Sequence, residues 1–394
     1  MGAMSATARP EIVVDLAAVR HNLRTIDALV GDDVATMAVV KADAYGHGAL
    51  EVARAAREAG TPWLGVATVP EALALREAGD VGRLLCWLVL PGEDLTAAVA
   101  ADVDVTAATT AHLDLLARAV EASGRPARVQ LKVDTGLSRS GSTAEAWPAL
   151  VAAARAGELE GRWRVTGVWS HLAAAEEPEH PANTQQAAAF HAALAVVEEA
   201  GLRPEVRHLA NSAAALLHPD LRLDLVRIGL ATYGLDPAPD VAHGTDLRPA
   251  MTVTAPLTMV KQVPEGTSVS YGWRWSAPAP TTLGLVPVGY ADGLPRAAAG
   301  NDRPGPAGAP AEVEVGGRRR PLRGTVCMDQ VVVELGPAGT EVGAAVGDVV
   351  RLVGPAPAPS AQEWAQACGT ISYEIVTRLG GRLVRRHVDS EEGA

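Results

Sequence analysis

Eight short β-branched runs, separated by Ala/Leu/Glu segments of helical period, predict an N-terminal (β/α)8 TIM-type barrel. A change of texture after Tyr233, from long helical spacers to strand after strand, predicts a mainly-β C-terminal domain. Length agrees: 394 residues, 48% of them hydrophobic, exceed one ordinary core. The expected division is a barrel over 11–240 and a β-rich domain over 241–394.

The barrel strands read as TMAVV (36–40), WLGVAT (63–68), RLLCWLVL (83–90), VDVTAA (103–108), RVQLKVD (128–134), VTGVWSHL (165–172), VRHLAN (206–211) and LDLVRIG (223–229). Between them Phe190, Leu194 and Val197 fall at i, i+4 and i+7, the period of a one-faced helix. Segments such as VPEALALREAG open on Pro and an acid and close on Gly, as capped helices do. Periodicity does not report closure, so a doubly wound open sheet stands as the alternative. An early run, EIVVDL, gives a strand near 11–16 that could pair with either domain. DPAPDVAHGTDLRPA reads as a linker, and beyond it MTVTAPLTMVKQV, TSVSYG, TTLGLVPVGY, AEVEV, VCMDQVVVEL and GDVVRLVG read as strands. One helix around AQEWAQAC and a polar tail complete the reading.

A formal charge of −12 with no long basic run argues against a nucleic-acid partner. Cys86, Cys327 and Cys368 are widely spaced and contain no CxxC pair, which fits reduced thiols in a cytoplasmic protein. No membrane span is expected, and no charged-then-apolar signal pattern opens the chain.

Polar residues cluster where the barrel strands end. Lys41 follows the first strand, Arg139 lies past the fifth, His171 ends the sixth, Asn211 and Ser212 follow the seventh, and Arg227 lies near the end of the eighth. In a (β/α)8 barrel these ends form one face, the face that carries active sites. Metal-ligand spacing is absent, so no metal is expected. ANSAA is not a Gly-x-Ser-x-Gly elbow, which sets aside Ser212 as a nucleophile. A lysine amine at a barrel rim suits Schiff-base chemistry. Ser212 and Gly229 stand where such barrels bind phosphate, and the combination points to pyridoxal 5'-phosphate.

AVVKADAYGHG, LKVDTGLSRSG, GVWSHLA, HLANSAA, LVRIGLATYGL, VSYG, GYADG, CMDQ and ISYE follow one another in the order and approximate spacing of the bacterial alanine racemase family, which the chain resembles from about residue 11 to the low 380s. The resemblance implies a pyridoxal-phosphate isomerase interconverting L- and D-alanine for peptidoglycan, built as a head-to-tail homodimer with shared sites. By the same resemblance Lys41 carries the cofactor and is one base, and Tyr271 from the partner subunit is the other. Arg139 and the Met328 amide would hold the substrate carboxylate. Tyr45, Asn211, Ser212, Gly229, Leu230 and Tyr373 would surround the cofactor, Arg227 would face its pyridine nitrogen, and His171 would link Arg227 to Tyr271. Lys132 matches a lysine that many members carry as a carbamate.

Two opposed bases can exchange a proton at Cα without turning the substrate over, and a tyrosine with an ordinary pKa near ~10 needs nearby positive charge to serve as one. Departures from the family pattern are Thr325 in place of an entrance arginine, Glu176 in place of aspartate and Ser138 in place of glycine, with Trp273 and Trp275 after Tyr271. A racemase of another small amino acid such as serine, a barrel-type pyridoxal-phosphate decarboxylase and a non-catalytic binder are the competing readings.

Overall fold

The computed structural model describes residues 9–299 and 309–390. Eight parallel strands, Ala35–Val39, Trp63–Val66, Arg83–Cys86, Asp104–Ala107, Ala127–Lys132, Trp163–Trp169, Val206–His208 and Leu225–Ile228, form one sheet. Each pairs with the next through the seventh, and the first also pairs with the eighth, with Ala38 opposite both Leu64 and Ile228. Across the last seam the Asp224 N–H donates to the Arg207 carbonyl at 3.2 Å and the Arg227 N–H to the Ala210 carbonyl at 3.0 Å. The sheet is therefore wrapped into a barrel, and the doubly wound alternative falls away. Met37, Trp63, Leu85, Val206 and Leu225, drawn from five of the strands, pack together in one buried cluster.

The surrounding helices follow local chemistry. Thr68 and Glu71 form a reciprocal capping box at the start of Val69–Glu77. Phe190, Leu194 and Val197 are all buried on the inner face of Pro181–Glu199, as their spacing required. The barrel strands sit in a unit comprising Val19–Ala44 and Ala49–Leu247.

The second compact unit joins the N-terminal residues through Ala18, Tyr45–Gly48 and the chain from Arg248 onward. Its main sheet has nine strands, and Glu11–Asp15 lies within it, antiparallel to Met251–Pro256 and parallel to Val384–Val388. Two local expectations change here, and one strand was not expected. The polar tail is in fact the edge strand Val384–Val388, drawn in by backbone hydrogen bonds while Arg385 and Arg386 keep the edge charged. RRRPLR, which carries no apolar alternation, forms the strand Arg318–Arg323 between two neighbours. TSVSYG is a strand only over Ser268–Val269 and then turns.

Gly46 ends the turn that carries the chain from one unit into the other. Its φ is +81°, and an added Cβ would lie 2.5 Å from the Val376 carbonyl oxygen. Gly46→Ala should therefore cost about 1–3 kcal/mol, read as a lower midpoint in chemical denaturation; an unchanged midpoint would contradict this packing.

Candidate active site

Lys41 stands at the exit of the first barrel strand, on a backbone that few sequences adopt. Ala42, Asp43, Ala44 and Tyr45 have φ of 53°, 52°, 52° and 54°, one turn of left-handed helix. Each L-residue there costs roughly 1–2 kcal/mol, so the surroundings must hold the turn. The Ala42 N–H donates to Glu71 Oε1 at 2.7 Å, the Ala49 N–H to Asp43 Oδ1 at 2.8 Å and the Ala44 N–H to the Val40 carbonyl at 2.9 Å. The Tyr233 hydroxyl donates to the Val39 carbonyl at 2.8 Å, tying the strand end to the segment after the eighth strand. Burial and the Arg139 charge hold the Lys41 amine below its ordinary pKa, partly opposed by Glu71. A lowered amine pKa suits a lysine that must be uncharged to react.

Arg227 is buried beneath this rim, with 5% of its surface exposed. Its Nη1 donates to His208 Nδ1 at 3.0 Å and the His208 carbonyl at 3.2 Å. Its Nη2 donates to the carbonyls of Ser170 (2.8 Å) and Leu209 (3.0 Å) and to His171 Nδ1 (3.1 Å). Burial and then the Arg139 charge bring the guanidinium down to about 9. His171, accepting at Nδ1, is neutral: burial first, then Arg227, pushes it down to about 2. Its Nε2 is left as a donor. Gln186 fixes the backbone here, donating to the His171 carbonyl at 3.0 Å and to Thr135 Oγ1 at 3.2 Å while accepting the Ala173 N–H at 2.8 Å.

Past the fifth strand the chain folds back, with the Asp134 N–H donating to the Ser142 carbonyl at 2.9 Å and the Ser142 N–H to the Lys132 carbonyl at 2.9 Å. This loop carries Arg139, which is exposed, and Ser140, whose hydroxyl accepts from Lys132 Nζ at 2.6 Å. Burial, followed by Arg227 and Arg139, lowers the Lys132 amine to about 7. Asp134 Oδ1 accepts the amides of Gly136 (3.0 Å) and Ser138 (3.1 Å). Ser138 has φ 56°, so its position is one where glycine fits without strain.

After the seventh strand Asn211 caps the helix Ser212–Leu217, its Oδ1 accepting the Ala214 N–H at 3.0 Å. Ser212 Oγ accepts the Gly229 N–H at 2.9 Å, which brings two chain turns together, and Leu230 is buried beside them. Within the barrel unit, then, Lys41, Lys132, Arg139, His171 and Arg227 act on one another electrostatically, and Asn211, Ser212, Gly229 and Leu230 gather at the neighbouring turns.

The remaining predicted residues lie in the β-rich unit. Tyr45 is buried, its ring centroid 6.0 Å from that of Tyr373, and its hydroxyl is pushed well above the ordinary range by burial and then by Tyr373. Tyr271 is 71% exposed, on a turn where Ser270, Gly272 and Trp273 have φ of 64°, 76° and 48°. Met328 is also exposed, and its carbonyl accepts the Ala291 N–H at 3.0 Å.

A family model described as the alanine racemase N-terminal domain matches residues 14–237, and one described as the alanine racemase C-terminal domain matches residues 250–387. The chain belongs to the alanine racemase family. It is 50% identical over 380 residues to the alanine racemase of Frankia casuarinae, covering 95% of each chain. It is 49% identical over 391 residues to that of Streptomyces coelicolor, covering 98% of this chain and 97% of the relative. The crystal structure of alanine racemase from D-cycloserine producing Streptomyces lavendulae superposes with a TM-score of 0.91 at 47% identity, covering 98% of this chain and 99% of that one. The chain is thus an isomerase of this family, with the family's barrel and C-terminal β-domain.

Several residues of this family member went unread in the sequence. Trp169 stacks on His208 at 5.6 Å and 6°, under Lys132 Nζ (4.2 Å) and the Arg227 guanidinium (5.0 Å), a platform for two cations. Its signal was an aromatic in GVWSHLA two places before His171. Gln130 lies two places before Lys132 in one strand, hence on the same face, and that spacing could have flagged it.

Thr325, one of the departures noted in the sequence, is buried at 7% exposure. Its hydroxyl donates to the Tyr271 carbonyl at 2.8 Å, and its own carbonyl accepts from Ser270 Oγ at 2.5 Å. This threonine therefore braces the strained turn that carries Tyr271. Thr325→Val keeps the shape and loses the donor, so we expect about 1–3 kcal/mol lower stability and lower activity, with Thr325→Ser restoring both. A valine variant matching the parent in both measurements would remove the brace from the account.

Proposed function

We propose that this chain interconverts L-alanine and D-alanine with pyridoxal 5'-phosphate, as a cytoplasmic homodimer that supplies D-alanine for peptidoglycan. The observation that carries the reading is the charge of the rim. Burial and then the Arg139 charge lower Lys41 and Arg227, and burial, Arg227 and then Arg139 lower Lys132. Among the described residues the carboxylates opposing this are Glu71 at Lys41 and Asp134 at Lys132. Such a cationic rim calls for anions, and a phosphate group and a substrate carboxylate supply them. The donor set fits the cofactor: an amine held below its ordinary pKa, a guanidinium and the closely packed turns at Ser212 and Gly229. The relatives' shared name, alanine racemase, favours alanine over serine.

When bound, the cofactor supplies the electron sink that lets a proton leave Cα. Lys41 Nζ would hold the cofactor and move a proton on one face of the substrate, while Tyr271 of the partner subunit would move it on the other. Arg139 and the Met328 amide hold the carboxylate. Tyr45, Tyr373, Ser212, Gly229 and Leu230 would hold the phosphate, with Asn211 capping the turn. Arg227 would face the pyridine nitrogen with N–H donors only, and His171 Nε2 would pass a hydrogen bond to the Tyr271 phenol. That donation, backed by the Arg227 charge, eases loss of the phenolic proton.

With L-alanine and added cofactor, a chiral assay should show D-alanine forming in the parent, and Tyr271→Phe should lose roughly 10²–10⁴-fold in rate. Mixing inactive Lys41→Ala and Tyr271→Phe chains should restore partial activity through hybrid dimers; no recovery despite subunit exchange would place each site within one chain.

Lys132 offers a pH test. Only the uncharged amine attacks carbon dioxide, forming an N–C bond and releasing a proton, and an amine near about 7 becomes uncharged as pH rises through that value. A carbamate signal from 13C-bicarbonate should therefore grow from pH 6 to pH 8 and vanish in Lys132→Gln. Absence of the signal at pH 8 would leave Lys132 an unmodified amine.

A further inference from the structure

A polar line runs through the barrel interior, and the roles assigned above do not use it. Asp104, fully buried at the start of its strand, accepts from Arg83 Nη2 (2.9 Å), Arg128 Nε (2.9 Å) and Thr166 Oγ1 (2.6 Å). Gln130 Nε2 lies 3.5 Å from Asp104 Oδ1, and Gln130 Oε1 lies 2.8 Å from His208 Nε2. His208 Nδ1 in turn lies 3.0 Å from Arg227 Nη1.

The two ends decide the direction of this line. A guanidinium has no acceptor, and an ionised carboxylate paired with two arginines has no donor. Every link must therefore donate toward Asp104: Arg227 Nη1–H to His208 Nδ1, His208 Nε2–H to Gln130 Oε1, and Gln130 Nε2–H to Asp104 Oδ1. One neutral tautomer of His208 satisfies both neighbours. The opposite tautomer would set N–H against N–H at Arg227 and leave a lone pair facing the Gln130 carbonyl oxygen. Two packing facts hold the middle links in place. A Cβ on Gly167 would come within 2.7 Å of Gln130 Cδ and 2.8 Å of its Oε1, so the bare glycine leaves room for the carboxamide. The Trp169 ring lies flat against His208 and limits rotation of the imidazole.

We propose that Asp104 and Gln130, acting through the tautomer of His208, are positioning residues that orient the Arg227 guanidinium toward the cofactor ring. Their effect on the reaction rests on the role proposed above for Arg227; the tautomer itself does not.

The test is a 15N–1H correlation of the imidazole nitrogens in the full chain, with and without pyridoxal phosphate. His208 is assigned by its loss in His208→Asn. The parent should show a protonated Nε2 and an unprotonated Nδ1 in both samples. Gln130→Met, close in volume but without the carbonyl and amide, should lose that single tautomer. The same variant should shift the pH dependence of the bound cofactor's absorption band and lower kcat roughly 10–100-fold, the range for outer-shell partners, with little change in KM. Gly167→Ala displaces the same carboxamide without removing it and should move the same three readouts in the same direction, which covers the case of a poorly folded Gln130→Met. A protonated Nδ1 in the parent would overturn the proposal. So would variants whose tautomer changes while absorption and kcat match the parent. A parent with the expected tautomer but no racemisation would instead refute the proposed function and leave the hydrogen-bond line standing.

Discussion

The burial of Arg227 among neutral acceptors is the constraint around which the polar end of the barrel is organised. Removing a guanidinium from water costs several kcal/mol unless its protons are satisfied, and among the described residues Arg227 has no carboxylate partner. Its five hydrogen bonds go to the carbonyls of Ser170, His208 and Leu209 and to the imidazoles of His171 and His208. Those carbonyls lie where the sixth and seventh strands end, so closing the barrel also builds the receptor. The Arg227 N–H completes the arrangement by bonding Ala210 across the seam. Two neutral histidines follow, since burial and then the Arg227 charge disfavour an imidazolium at either one.

Strain is concentrated at the two residues proposed as bases. Lys41 opens onto a left-handed turn, and Tyr271 rides on a turn with three positive φ values. Each turn is held by hydrogen bonds from outside itself, Glu71 for the first and Thr325 for the second. Glu71 also completes the capping box of the helix Val69–Glu77, so one carboxylate stabilises an ordinary helix start and an uncommon turn together. Backbone held away from its relaxed conformation persists where its surroundings over-determine it, and such sites are where function tends to gather.

The sequence determined the strand and helix alternation, because β-branched runs and 3.6-residue periodicity are local signals of which faces are buried. It also placed Lys41, Arg139, His171, Ser212 and Arg227 at strand ends, and the ordered motifs carried the family. Tertiary structure alone decided the closure of the barrel, the partners of Glu11–Asp15 and the edge strand Val384–Val388. Those depend on backbone hydrogen bonds between distant segments, and such bonds form with almost any side chains. It alone decided the left-handed turn after Lys41, since Ala42, Asp43 and Ala44 carry no glycine to announce it. The direction of the line from Arg227 to Asp104 was decided there too, because the protonation of a buried histidine is set by the donors and acceptors that folding brings to its two nitrogens.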